Sequence, residues 1–301
     1  MKKDLLGIRG LSSQEIMGYL ADAKAQKEKV RNRHLRDDSL KGASITTLFY
    51  ENSTRTKMSF LLAGEYLGAY ADDLNISTSS VAKGETLIDT GLTLEAMGTN
   101  AIVMRHSMAG AAHLLARNVN CSVINGGDGS NEHPTQALLD LFTMWEHTKG
   151  FSGLNVTIVG DVANSRVARS NIFGLKTLGA NVTLAGPGTL LNGNMAALGV
   201  KITTNVIEAV KNADVVMGLR VQLERHKACH FPSLQEYAKF FGISMEVLSH
   251  AKADAIVMHP APVNRGVEIS SQVMDCDASV IYPQVENGVA MRMAILQNLL
   301  G

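Results

Sequence analysis

A chain of 301 residues with 28 Lys plus Arg against 28 Asp plus Glu has no formal net charge, which argues against the basic surplus of a nucleic-acid binder. Its 46% hydrophobic residues and 27 Gly are globular, and no run reaches the roughly 18 apolar residues of a membrane span. The charged fraction of 19%, below the roughly 25% usual for soluble proteins, fits some surface being hidden in an oligomer. Along the chain, Ser12-Ser13-Gln14-Glu15 combines a serine cap with an acidic first turn and predicts a helix over Ser12 to Lys27. From about residue 43, short apolar runs alternate with amphipathic stretches, the pattern of βαβ units and parallel sheets. Strands are expected near 44–49, 101–104, 122–124, 156–159, 182–185, 215–218 and 255–258. Helices are expected over 56–67, 136–146, 166–178 and 207–211, with a long last one over 286–300. The segment Asp72 to Glu85 is polar and Ser-rich and reads as a loop longer than a plain connection requires. A composition break at His147 to Leu154 marks a domain boundary, with domains at 1–147 and 148–283.

Cys121, Cys229 and Cys276 form no CxxC pair, so neither a disulfide framework nor a zinc site is suggested, and reduced thiols in a cytoplasmic protein are expected. The opening Met-Lys-Lys-Asp-Leu-Leu-Gly is broken by Asp4 before any apolar leader core could form.

The densest chemical signal is Phe49-Tyr50-Glu51-Asn52-Ser53-Thr54-Arg55-Thr56, an apolar strand running into hydroxyls, a guanidinium and a helix start. That combination suits a phosphate, because a helix N-terminus offers N–H donors and a positive dipole end. The same residues also fit an ordinary N-cap followed by a surface arginine. Glu51 is placed to orient Arg55. Two more strand ends add compatible groups: Arg105 in Val103-Met104-Arg105-His106, and His133 and Gln136 in Glu132-His133-Pro134-Thr135-Gln136. Singly each is bland, yet together they fall where open α/β sheets bind ligands, at the carboxyl ends of strands.

In the second half, Thr157-Ile158-Val159-Gly160-Asp161 leads into Asn164-Ser165-Arg166 with a single glycine. A dinucleotide turn needs G-x-G-x-x-G, so nicotinamide chemistry is disfavoured. Arg166 and Arg220 each follow a strand; two forks suit two carboxylates, although solvated loop arginines look the same in a sequence. The prolines of His259-Pro260-Ala261-Pro262 fix an extended backbone whose carbonyls suit a substrate NH₂. The stripe from Asn287 to Leu296 reads as helix packing.

In order, Ser53-Thr54-Arg55-Thr56, Lys83-Gly84-Glu85-Thr86, Met104-Arg105-His106, His133-Pro134-Thr135-Gln136, Arg220-Val221-Gln222 and His259-Pro260-Ala261-Pro262 resemble the aspartate/ornithine carbamoyltransferase family nearly end to end. The resemblance implies an α/β fold of two domains, each a mainly parallel sheet flanked by helices. The first would bind carbamoyl phosphate, with a final helix at about 284–301 packing back on it, and the second L-aspartate. It implies that Ser53, Thr54, Arg55 and Thr56 hold the phosphate and that Arg105 bridges phosphate and carbonyl. Thr56, Arg105 and His133 would polarise that carbonyl, while Gln136 and the backbone at Ala261 and Pro262 bind its amino group. Arg166, Arg220 and Gln222 would receive L-aspartate, and Lys83 with Ser79 or the adjacent Ser80, of which Ser79 keeps the family's four-residue spacing from the lysine, would reach in from a neighbouring subunit of a homotrimer with shared active sites. Neither metal nor organic cofactor is implied, and regulatory or dihydroorotase chains are further partners the family admits. The ornithine branch is expected to carry His-Cys-Leu-Pro where this chain has His259-Pro260-Ala261-Pro262.

Overall fold

A computed structural model describes residues 3–32, 37–76, 84–221 and 233–301. The chain divides into two units, Met1–Phe142 with Glu286–Gly301, and Thr143–Val285. The division falls inside a helix, ahead of the composition break at 147–154.

The first unit opens with α1 (Ser13–Arg31), started by a full capping box between Ser12 and Glu15. Then come β1 (Ser44–Phe49), α2 (Thr54–Tyr66), β2 (Tyr70–Leu74), α3 (Leu87–Ala96), β3 (Ala101–His106), α4 (Ala111–Ala116), β4 (Ser122–Asp128) and α5 (Pro134–His147). Its sheet is parallel, in the order β2-β1-β3-β4. β1 and β4 are buried almost throughout, as strands covered on both faces must be, which is why their sequences read as continuous runs. Leu48, Ile102, Met104, Leu115 and Val123 pack one core beneath them. The loop expected from Asp72 to Glu85 needs correction, because its start belongs to β2. At the sheet's edge β2 is mostly solvated, so it carries Asp72 and Asp73 instead of an apolar run.

The second unit holds β5 (Asn155–Val159), α6 (Arg166–Thr177), β6 (Asn181–Ala185), β7 (Lys201–Thr203), α7 (Val206–Val210), β8 (Val215–Gly218), α8 (Leu234–Phe241), α9 (Met245–Leu248), β9 (Ile256–Met258) and α10 (Ser271–Met274). Its parallel sheet runs β7-β6-β5-β8-β9. Val159, Val210, Val216, Val257, Ile269 and Val273 fill its core. The last helix, α11 (Ile281–Leu300), begins in this unit and continues from Glu286 in the first. The expectation of two mainly parallel sheets flanked by helices is borne out.

Each sheet has one point where chain order reverses. In the first, β1 is followed on one side by β2 and on the other by β3; in the second, β5 lies between β6 and β8. Loops leaving the carboxyl ends of strands diverge at such points and open a crevice for ligands.

Candidate active site

At the first reversal point, β1 ends at Phe49 and α2 starts at Thr54. The N-cap Ser53 is extended (φ −160°, ψ 98°), makes no side-chain cap bond, and is followed by a first turn without an acidic residue. A helix start left in this state keeps its positive end and N–H donors for an outside anion. Thr56 is buried, whereas Thr54 and Arg55 are exposed. Arg105 arrives from β3, paired across the sheet with Phe49. Its Nη1 donates to the Gly126 carbonyl at 3.3 Å, and its Nε lies 3.4 Å from Glu51 Oε2. Glu51 pairs with Arg105, because the β1–β3 register brings the residues after Phe49 alongside that arginine. The register between β3 and β4 shifts between Met104 and His106, the bulge that often re-aims side chains at the rim of a sheet. His106 Nδ1 accepts from the Met108 N–H at 2.9 Å, which makes this residue a turn former. Burial pulls its pKa below the usual histidine value, against the opposing pull of Glu51 and Asp128.

His133 and Gln136 stand at the start of α5, both buried. Thr135 Oγ1 lies 3.4 Å from His133 Nδ1, and Gln136 Nε2 donates to Asp140 Oδ1 at 2.8 Å. Two carboxylates that the sequence reading did not single out brace this corner. Asp128 Oδ1 accepts from Asn125 Nδ2 (2.8 Å) and the Glu132 N–H (3.1 Å), and its Oδ2 from the Gly110 N–H (2.7 Å). It thereby ties the loop after β3, which follows Arg105, to the turn that carries His133. Glu132 accepts from the Ile8 N–H at 2.7 Å and packs against Gly7, where an added Cβ would collide with its carboxylate. These are the supporting bonds that hold a site's geometry.

At the second reversal point Gly160 follows β5 with φ +137°, a backbone that favours glycine, and a Cβ there would come within 2.9 Å of Leu219. Ser165 caps α6 through the Ala168 N–H at 3.1 Å, and Arg166 is 4% exposed. Arg166 is therefore no solvated loop arginine. Arg220 follows the neighbouring strand β8 and is half-buried. Next to β8, β9 leads into His259-Pro260-Ala261-Pro262. The Ala261 N–H donates to His259 Nδ1 at 2.9 Å, which assigns the ring proton to Nε2, 3.5 Å from Glu268 Oε1. The His259 N–H donates to Gln284 Oε1 at 3.0 Å, and the Asn264 N–H to Glu268 Oε1 at 2.7 Å. Buried His259 and Glu268 thus fold the turn that carries the Ala261 and Pro262 backbone.

The structure therefore gathers Ser53, Thr54, Arg55, Thr56, Arg105, His133 and Gln136 at one sheet edge, and Arg166, Arg220, Ala261 and Pro262 at another. Ser79, Lys83 and Gln222 lie outside the described residues, as does Cys229.

Two family models match the chain: the aspartate/ornithine carbamoyltransferase carbamoyl-P binding domain over residues 3–146, and the Asp/Orn binding domain over 152–299. Among its relatives, the aspartate carbamoyltransferase catalytic subunit of Acetivibrio thermocellus is 56% identical over 98% of this chain and 94% of its own. That of Caldanaerobacter subterraneus subsp. tengcongensis is 52% identical over 99% and 98%. The fold is similar to aspartate transcarbamoylase from Trypanosoma cruzi, solved in complex with carbamoyl aspartate and phosphate (TM-score 0.89, 30% identity, 99% of this chain and 96% of that one). It is also similar to ornithine carbamoyltransferase from Thermus thermophilus (TM-score 0.87, 26% identity, all of both chains). On these matches, spanning nearly every residue, the chain belongs to the aspartate/ornithine carbamoyltransferase family.

Proposed function

We infer that this chain is an aspartate carbamoyltransferase. It transfers the carbamoyl group of carbamoyl phosphate to the α-amine of L-aspartate, giving N-carbamoyl-L-aspartate and phosphate, an early step of de novo pyrimidine biosynthesis. The observation that carries this reading is the delivery of arginines to both reversal points, Arg55 and Arg105 in one sheet and Arg166 and Arg220 in the other. The near-full-length relatives that bear this name agree with it.

Ser53, Thr54, Arg55 and Thr56 hold the phosphate with hydroxyls, a guanidinium and helix N–H groups. Arg105 spans phosphate and carbonyl oxygen, and Gln136 with the Ala261 and Pro262 backbone receives the carbamoyl NH₂. Arg166, Arg220 and Gln222 bind the aspartate carboxylates, each guanidinium fork matching one carboxylate. The uncharged α-amine attacks the carbamoyl carbon; a C–N bond forms as the carbonyl π pair moves to oxygen. That oxyanion faces half-buried Arg105 and buried His133 and Thr56, fixed donors whose withdrawal from water strengthens their pull on developing charge. The C–O bond to phosphate then breaks, and the departing phosphate takes the amine proton, so no side-chain base is required.

The assembly is a homotrimer in which Ser79 and Lys83 complete a neighbour's site, and regulatory or dihydroorotase chains are the further partners that the family admits. A cytoplasmic location suits the free thiols of Cys121 and Cys276. Mixing inactive Lys83→Ala chains with inactive His133→Ala chains should restore activity, and no recovery would contradict shared sites. The function itself is tested by supplying carbamoyl phosphate with L-aspartate or L-ornithine and measuring the ureido product by its colour reaction. Product is expected with aspartate alone; product with ornithine, or with neither, would overturn the assignment.

A further inference from the structure

The two ends of a glutamine amide are nearly equal in size and opposite in hydrogen-bonding sense. A site that uses Gln136 to recognise an NH₂ group must fix which end it presents. One helical turn on, Asp140 does this. Gln136 Nε2 donates to Asp140 Oδ1 at 2.8 Å, and because a carboxylate only accepts, the nitrogen has to face Asp140 and Oε1 remains for a ligand.

Asp140 has no solvent exposure, and a carboxylate so placed takes up a proton unless a cation compensates it. Arg292 of α11 is the cation whose charge acts on it. It is buried, its Cζ sits 5.2 Å from the centre of the Phe60 ring, and its Nη1 donates to the Gly288 carbonyl at 2.9 Å. Gly288 makes the room, since a Cβ there would lie 2.7 Å from Nη1. Burial brings the Arg292 pKa down to about 9, opposed by the Asp140 charge and reinforced by Arg55, so the guanidinium stays charged at neutral pH. With a neutral acid or an amide at position 140, a donor could instead meet Oε1, and Gln136 would turn its own NH₂ toward a substrate NH₂.

We propose that Asp140, with the Arg292 guanidinium as its buried counter-charge, is the positioning residue that presents the Gln136 carbonyl oxygen to the carbamoyl NH₂ and so sets the preference of the site for an amide over a methyl. The proposal rests on the reading of Gln136 as a carbamoyl-binding residue. Neither Asp140 nor Arg292 touches the reacting atoms in this account.

The test is calorimetric titration of the full chain with two stable phosphonates, phosphonoacetamide, which carries the NH₂, and phosphonoacetone, which has a methyl in its place. Wild type should prefer the amide by about tenfold, the worth of one buried hydrogen bond. Asp140→Asn should reduce that ratio about fivefold or more while the ketone affinity stays within about twofold. Arg292→Met, of similar volume without the charge, should shift the ratio the same way, and it decides the question alone if the Asp140 variant does not fold. In a Gln136→Leu background Asp140→Asn should leave the ratio where Gln136→Leu has put it. An unchanged ratio, or equal weakening of both phosphonates, would overturn the proposal by making the pair merely structural. Failure of wild type to bind either phosphonate would instead overturn the carbamoyl phosphate reading on which the proposal stands.

Discussion

The starts of α2 and α6 occupy equivalent places, each following the strand beside its sheet's reversal point, and each opens on a serine N-cap with an arginine in the first turn. They use those residues differently. Ser165 gives its Oγ to the Ala168 N–H and Arg166 is buried; Ser53 makes no such bond and Arg55 is exposed. An uncapped start with hydroxyls and a reachable guanidinium can surround a phosphate on several oxygens, whereas a capped start leaves recognition to side-chain forks that suit carboxylates. In the proposed reading the same local motif serves two anions, and the cap bond is what separates them.

The largest expected effect comes from removing the exposed guanidinium. Arg55→Ala should lower kcat/KM by about 10²- to 10³-fold with an unaltered thermal midpoint, and normal turnover in steady-state assays would break the phosphate half of the comparison. The serines sharpen it. Ser165→Ala loses a real cap and should lower Tm by about 2–4 °C with little change in KM for carbamoyl phosphate. Ser53→Ala has no cap bond to lose, so Tm should move by less than about 1 °C while KM for carbamoyl phosphate rises about tenfold. If calorimetry and kinetics gave the two variants the same profile, the cap distinction would be wrong. The smallest effect is expected for Glu51→Gln, which weakens a partly exposed ion pair with Arg105 and should raise KM for carbamoyl phosphate about two- to fivefold.

The central strands and the arginines at or after their ends were legible because buried parallel strands are largely apolar, so β1, β3, β5 and β8 stand out as runs that stop abruptly at Glu51, Arg105, Gly160 and Arg220. Edge strands give no such signal: β2 reads Tyr-Ala-Asp-Asp-Leu, and β7 is only three residues long. The bracing carboxylates were hidden for a different reason. Asp128 and Glu132 earn their roles from backbone N–H groups of Gly110 and Ile8, which tertiary folding brings near and no spacing rule announces. Asp140 was within reach, since its four-residue offset from Gln136 is a helical neighbour relation. Arg292 sat inside an apolar stripe read as packing, and that stripe is indeed buried; its one charge was the clue.

Division of labour between the two sheet edges is tested most directly by Arg220→Ala, with initial rates measured across a grid of both substrates. The account predicts that KM for L-aspartate rises about 10- to 100-fold while KM for carbamoyl phosphate stays within about twofold. Equal losses for both substrates would contradict it, because Arg220 would then not belong to a separate acceptor half.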